Sequence, residues 1–137
     1  MKYFWIGIGL LLISCGEKIF TGDVDCNNCY TEKPDFADLV IDLSINSKYP
    51  AVPVIIYTGD VEGNNVLITD TAYVSPYYAY VKVGRKYSVK AEYKSPEKTI
   101  YTVNGTRLKT LTVTDACDQS CYVIENEEID ARLKKDF

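Results

Sequence analysis

The sequence predicts an all-β protein, folded as an antiparallel β-sandwich of two sheets with about seven or eight strands. Apolar and polar residues alternate with a period of two in several short segments, as in strands that bury one face. No segment has a convincing helical period of apolar residues. Turn residues separate neighbouring segments at short intervals, which favours antiparallel pairing over the long crossovers of a parallel sheet.

The first predicted strand has the clearest alternation. Residues 38–46, DLVIDLSIN, place four aliphatic side chains on one face. A second strand is predicted at 54–58, with Pro50 and Pro53 marking an edge or a bend before it, because proline cannot donate a hydrogen bond to a ladder. The next three strands are predicted at 66–71, 77–83 and 87–93.

The C-terminal part of the chain is predicted to add three more strands. Residues 99–113 are expected to form a hairpin that turns at Asn104 and Gly105, since this dipeptide suits the positive φ angles of a two-residue turn. The last strand is predicted within 121–135, where apolar and charged residues alternate from Ile129 to Leu133.

The N-terminus has the features of an export signal. Residues 1–14, MKYFWIGIGLLLIS, contain one lysine and an apolar run that is shorter than the roughly 20 residues needed to span a bilayer. This layout predicts a secretory signal peptide. The box Leu12-Ile13-Ser14-Cys15 resembles the bacterial lipobox. The resemblance implies cleavage before Cys15 and its modification with lipid, including palmitate, as a lasting anchor. The alternative is an ordinary signal peptide or a buried N-terminal strand.

The layout of the chain extends this resemblance. After the signal, residues 15–35 are predicted to form a lipidated N-terminus and polar tether, and residues 36–137 a single β-sandwich domain. This layout resembles small Gram-negative lipoproteins of unassigned function whose bodies are immunoglobulin-like or transthyretin-like sandwiches. Inner-membrane lipoproteins of this kind often carry Asp after the cysteine, so Gly16 implies delivery to the outer membrane, at its periplasmic or surface face.

The cysteines predict structural disulfides. Of five, Cys15 is assigned to lipidation, which leaves an even set for an oxidising compartment: Cys26, Cys29, Cys117 and Cys121. Bridges between the two clusters are favoured because they would close a loop of about 90 residues and contribute more than about 4 kcal/mol. Closure within each cluster is the alternative. A zinc site and a thioredoxin-like redox motif are less favoured, since the chain has no histidine and no helix is predicted after CNNC.

Composition argues against several classes of function. The whole chain has 15 basic and 19 acidic residues, and removing Lys2 with the signal changes the net charge from −4 to −5. This acidity argues against binding to nucleic acid or directly to anionic lipid. Without histidine, Ser-His-Asp and Cys-His arrangements are absent. The alternating Asp23, Asp25 and Asn27 lack the later glycine and glutamate of an EF-hand loop. We therefore predict that the protein is not an enzyme and has no cofactor and no metal site.

Tyrosine is the remaining candidate for binding. Twelve are present, and four lie close together: Tyr73, Tyr77, Tyr78 and Tyr80. Their rings could stack on a sugar or anchor a protein partner, although tyrosine is also a good strand former. If Ala79 and Val81 face the core, Tyr78 and Tyr80 face solvent.

Two functions follow. The first is an accessory or assembly subunit that binds a protein partner at the outer membrane, which predicts an unpaired sheet edge or an exposed apolar patch. The alternative is a standalone module that binds a glycan or another small ligand, which predicts an aromatic platform containing Tyr78 and Tyr80 beside polar groups.

Overall fold

A computed structural model describes residues 24–135, so the predicted signal peptide, the predicted lipobox and Cys15 lie outside the described residues. The strands are β1 (Phe36–Asp42), β2 (Val52–Thr58), β3 (Val66–Ala72), β4 (Tyr77–Lys82), β5 (Arg85–Lys94), β6 (Thr99–Val113), β7 (Cys121–Glu125) and β8 (Glu128–Asp130). Two short 3-10 turns, Cys26–Asn28 and Val61–Gly63, complete the regular structure. No helix in this part of the chain is long and apolar enough to cross a membrane.

The strands form the predicted antiparallel β-sandwich. One sheet has three strands in the order β4-β1-β8, and the other has five in the order β3-β2-β5-β6-β7. Within the described residues every strand pairing is antiparallel except that of β1 with β8. Strands of both sheets bury alternate side chains, as β1 does with Ala37, Leu39 and Ile41, so the two inner faces enclose one core.

The core is built mainly from aliphatic residues and three tyrosines, Tyr49, Tyr87 and Tyr93. Its largest fully buried side chains are Tyr87, Tyr93, Leu39, Ile41, Ile56, Leu108, Ile129, Val52, Val54 and Val89. Burying a side chain of this size contributes about 1.5–3 kcal/mol relative to leaving it exposed. Both sheets contribute to this set, which holds them together and fixes the direction of each outer face.

The prediction of a hairpin turn at Asn104 and Gly105 is wrong, because β6 continues through both residues and pairs with β5 there. Gly105 lies where β6 and β5 approach each other closely. A Cβ at this position would lie 2.9 Å from the Ser88 Oγ and 2.9 Å from the Tyr87 carbonyl oxygen. The asparagine bonds to the other sheet, where its Nδ2 donates to the Asp130 carbonyl oxygen at 2.9 Å. Contacts between distant segments therefore decide the role of a dipeptide that locally favours a turn.

The last predicted strand is divided. Asn126 has a φ angle of 59°, and after it the chain leaves β7 and joins the opposite sheet as β8. Strand pairing ends at Asp130, so the predicted continuation to Leu133 is wrong. At this point the Thr102 Oγ1 donates to the Ala131 carbonyl oxygen at 2.7 Å, so a side chain replaces a ladder partner. The two strands predicted within residues 99–113 form one strand, β6, and the last predicted strand forms two, β7 and β8. The total is therefore eight, as predicted.

Two disulfides tie the N-terminal segment to the body of the protein. Cys26 is bonded to Cys117 and Cys29 to Cys121, with Cα separations of 5.8 and 5.6 Å. Both bridges run between the two clusters, as favoured from the sequence, and span 91 and 92 positions. Beside them Tyr30 pairs with Tyr122 of β7. This part of the predicted tether is therefore fastened to the outer strand of the larger sheet.

The buried hydroxyl of Tyr93 joins β5 to the end of the smaller sheet. It accepts a hydrogen bond from the Ser44 amide at 3.1 Å and donates to the Ala131 carbonyl oxygen at 2.8 Å. Burial raises the pKa of Tyr93. We expect Tyr93→Phe to keep the ring buried but to leave the Ser44 amide without this partner, at a cost of about 1–3 kcal/mol in the free energy of unfolding.

Urea unfolding of Tyr93→Phe at neutral pH measures this cost. Tyr101→Phe is the matched control, because the Tyr101 side chain is exposed and its variant should change stability by less than about 0.5 kcal/mol. Equal changes in the two variants would show that the Tyr93 hydroxyl does not stabilise the fold.

Candidate functional site

The outer face of the three-stranded sheet carries exposed aromatic rings. In β4, Ala79 and Val81 are each 3% exposed and face the core, whereas Tyr78 and Tyr80 are 60% and 70% exposed. Successive side chains of a strand point to opposite faces, so the two tyrosines lie together on the solvent side. Because Ala79 and Val81 face the core, Tyr78 and Tyr80 are exposed, as the sequence predicts for this arrangement.

Phe36 on β1 completes what we call the aromatic face, consisting of Phe36, Tyr78 and Tyr80. The pairing of β1 with β4 sets Asp38 opposite Tyr80 and Val40 opposite Tyr78. The Phe36 and Tyr80 rings are stacked, with centroids 5.6 Å apart and planes inclined by 22°. Sequence reasoning missed Phe36. Its even spacing from Asp38 and Val40 was the available signal, because it places all three on one face.

The exposed apolar surface continues into the connection between β3 and β4. Tyr73 and Val74 in this connection are both exposed, and the neighbouring Ser75 Oγ accepts a hydrogen bond from the Leu43 amide at 2.9 Å. The connection is thereby held near the end of β1. Of the ten large apolar residues that are exposed in the described part of the chain, five belong to this side: Phe36, Tyr73, Val74, Tyr78 and Tyr80.

Tyr77, the fourth predicted binding residue, has a different role. Its hydroxyl donates to Asp70 Oδ2 at 2.8 Å, which links the first residue of β4 to β3 in the opposite sheet. Partial burial and the neighbouring Asp70 carboxylate raise the pKa of Tyr77 to about 12. The structure thus separates Tyr77 from the two tyrosines of the aromatic face.

β4 also forms an edge, with β1 on one side and no strand of the described chain on the other. The Val40 amide donates to the Glu127 carbonyl oxygen at 2.8 Å, towards β8. Main-chain groups of successive strand residues point to alternate sides, so the neighbours of Val40 in β1 bond to β4. Tyr78 and Tyr80 consequently direct their amides and carbonyls to the open edge, and Lys82 directs its amide there, while the Lys82 carbonyl accepts a hydrogen bond from the Tyr87 hydroxyl at 2.6 Å.

Acidic groups lie on the opposite flank of the aromatic face. Asp38 is exposed on β1, and Glu127 and Glu128 are exposed at the start of β8. Partial burial, followed by the charges of Glu128 and Asp38, raises the pKa of Glu127. Nearby, the Arg132 guanidinium bonds to Asp130 at 2.9 Å and lowers the pKa of that carboxyl to about 2. The acidic flank and the aromatic rings are therefore neighbours on one surface.

The alternating acidic and amide residues near the N-terminus form a turn. Asp25 Oδ1 accepts a hydrogen bond from the Asn27 amide at 3.0 Å, and its Oδ2 accepts one from Asn28 Nδ2 at 2.8 Å. The carboxylate thus caps its own 3-10 turn. A cleft of about 610 Å³ separates this segment from β7, and its lining extends from Val24, the first described residue, to Val123 and Glu127.

The sulfur atoms of three cysteines also lie together. The Sγ atoms of Cys29, Cys117 and Cys121 are within 4.8 Å of one another. Each belongs to one of the two disulfides, and a disulfide sulfur is not the thiolate that binds zinc. In the oxidised protein this cluster therefore links the N-terminal segment to the body of the protein through two disulfides.

Fold and surface together define a small disulfide-bonded β-sandwich with an open edge strand beneath an exposed aromatic face. No protein-family model, curated protein or solved structure matches this chain.

Proposed function

We propose that this chain is a non-enzymatic, lipid-anchored accessory protein of the outer membrane that binds a protein partner along β4. One observation carries the proposal: the β4 residues with free main-chain groups include Tyr78 and Tyr80, whose rings are exposed on the aromatic face. An extended segment added at such an edge gains affinity from main-chain hydrogen bonds and specificity from adjacent side chains. The lipobox at Leu12-Ile13-Ser14-Cys15 supports the anchoring.

The composition of β4 favours a functional edge. Exposed edge strands are usually protected by charged residues, proline or a bulge, because open main-chain groups recruit other strands. β4 has the sequence YYAYVK, whose one charge is at the last position. Its register with β1 is continuous from Tyr77 to Lys82. A regular, aromatic edge whose one charge lies at its end is suited to a partner strand that covers it.

Lys82→Pro tests the proposal, with Lys82→Ala as its control. Both variants remove the same charge, but only proline removes the outward amide. The Lys82 carbonyl, which accepts from the Tyr87 hydroxyl, is kept in both. Proline is tolerated on an edge strand when its missing amide faces solvent, so we expect both variants to remain folded.

The experiment is crosslinking of the lipidated, oxidised protein in its native membranes, followed by pull-down and mass spectrometry. We expect one recurrent protein, crosslinked next to β4, with the wild type and Lys82→Ala, and its loss with Lys82→Pro. The proposal is overturned if abundant protein yields no recurrent partner, or if Lys82→Pro recovers the partner as well as Lys82→Ala does.

A second candidate function is glycan binding by the aromatic face. The observation that favours it is the stack of Phe36 on Tyr80, since adjacent exposed rings provide an apolar platform for a sugar ring. Such binding would use the rings and would not need the open edge. A glycan array probed with the soluble form, in which Cys15→Ser removes the predicted lipid site, would then give signals that Lys82→Pro leaves unchanged.

A further inference from the structure

The surface around β4 combines aromatic rings with negative charge in a fixed order. Counting inwards from the open edge, the outer face presents the β4 tyrosines, then Asp38 on β1, then Glu128 on β8. Tyr80 is opposite Asp38, while Val40 lies between Tyr78 and Glu128. Strands are spaced by about 4.8 Å, so Asp38 lies about 10 Å across the face from a strand added outside β4.

The acidic flank has no cationic partner among the described residues. The ion pairs found there join Lys86 to Asp60, Lys109 to Glu125 and Arg132 to Asp130. None includes Asp38, Glu127 or Glu128. Lys82 is the one cation on the outer face of β4; it is opposite Phe36 and diagonal to Asp38, and none of these ion pairs includes it. The two positions of β4 nearest the acids are therefore occupied by neutral tyrosines.

A side chain from an added strand must cross a tyrosine ring to reach Asp38, and Glu128 lies one strand further from the edge. Arginine and lysine can do so, because their long stems lie along apolar surface while the charge extends beyond it. Their cationic groups are also attracted to the faces of aromatic rings within about 6 Å. An acidic side chain at the same place would approach Asp38 with like charge, and a short apolar side chain would not reach it.

We infer that the segment bound along β4 is an extended strand of a partner protein with arginine or lysine at two positions, two residues apart, opposite Tyr78 and Tyr80. This inference rests on the proposed function and specifies the chemistry of the partner. The net charge of −4 for the whole chain adds a long-range attraction that favours encounter with a basic segment. The acids act in recognition, while the β4 main chain holds the strand.

Two synthetic eight-residue peptides serve as probes, one alternating threonine with arginine and the other threonine with glutamate. Binding to the oxidised full-length protein in detergent is measured by fluorescence anisotropy. We expect the arginine peptide to bind, more weakly as salt is raised, and the glutamate peptide not to bind. The double variant Asp38→Asn, Glu128→Gln should weaken binding of the arginine peptide by about fivefold to tenfold, since it removes the exposed charge pair with Asp38 and the longer-range attraction of Glu128.

The control is Glu62→Gln with Glu97→Gln, which makes the same change of charge in two exposed turns of the larger sheet and should weaken binding by less than about twofold. The inference is overturned if the arginine peptide does not bind, if the glutamate peptide binds equally, or if the control has the same effect as the test variant. A different result concerns the proposed function: arginine-peptide binding that needs Asp38 and Glu128 but is unchanged in Lys82→Pro would exclude strand pairing at β4.

Discussion

Removal of both disulfides should lower the free energy of unfolding by about 7 kcal/mol, whereas removal of either one should lower it by only about 2.5 kcal/mol. The bridges span 91 and 92 positions between the same two short segments. The first bridge to form closes the long loop, which contributes about 4.6 kcal/mol in the chain-entropy relation. The second closes only a ring of about nine residues and contributes about 2.5 kcal/mol. Either bridge can therefore constrain the long loop alone.

The measurement is a double-mutant cycle in urea with four proteins. These are the wild type, Cys26→Ala with Cys117→Ala, Cys29→Ala with Cys121→Ala, and the variant with all four changes. A domain of this size has a stability of about 5–15 kcal/mol, so the fourfold variant should be close to unfolding in buffer. If the losses of the two paired variants add up to that of the fourfold variant, the bridges act independently and the shared-loop explanation is wrong.

The pattern of alternation was sufficient to predict the sandwich but not its connectivity. Residues 38–46 and 87–93 reveal their buried faces because aliphatic side chains repeat at every second position. In β6 the inner face includes Thr102, Asn104 and Thr106, and these polar residues conceal the strand period. All three donate hydrogen bonds to carbonyl oxygens in the segment containing β8. These hydrogen bonds form only when the two sheets pack together. The Asn-Gly pair considered by itself therefore predicted a turn.

The candidate site was partly predictable for a related reason. The exposure of Tyr78 and Tyr80 follows from their alternation with Ala79 and Val81, which is a property of one strand. The stacking of Phe36 on Tyr80 and the position of Asp38 depend instead on the register between β1 and β4. About 35 residues separate these strands, and nothing within either strand sets their register. The sequence likewise predicted bridges between the cysteine clusters without selecting Cys117 as the partner of Cys26.

The double variant Tyr78→Ala, Tyr80→Ala is expected to reduce capture of the β4 partner by 100-fold or more while lowering stability by about 1 kcal/mol. Truncating an aromatic residue at the centre of an interface often lowers the binding free energy by about 2 kcal/mol or more. A loss of about 2.7 kcal/mol corresponds to a 100-fold loss of affinity. The loss of stability should be small because both rings are mostly exposed, so that the stacking of Tyr80 on Phe36 is the main contact removed. Quantitative crosslinking in native membranes and urea unfolding of the same variant measure the two effects.

Tyr101→Ala provides the matched control, since Tyr101 is a comparably exposed tyrosine on the outer face of the other sheet, and it should leave capture unchanged. Comparison with Lys82→Pro then distinguishes the two binding functions. A protein strand needs both the rings and the open main chain, so both variants should lose it, whereas a glycan needs the rings alone and should be lost only in the double tyrosine variant. Unaltered capture by that variant would remove the aromatic face from the interface, and unfolding would assign Tyr78 and Tyr80 a structural role instead.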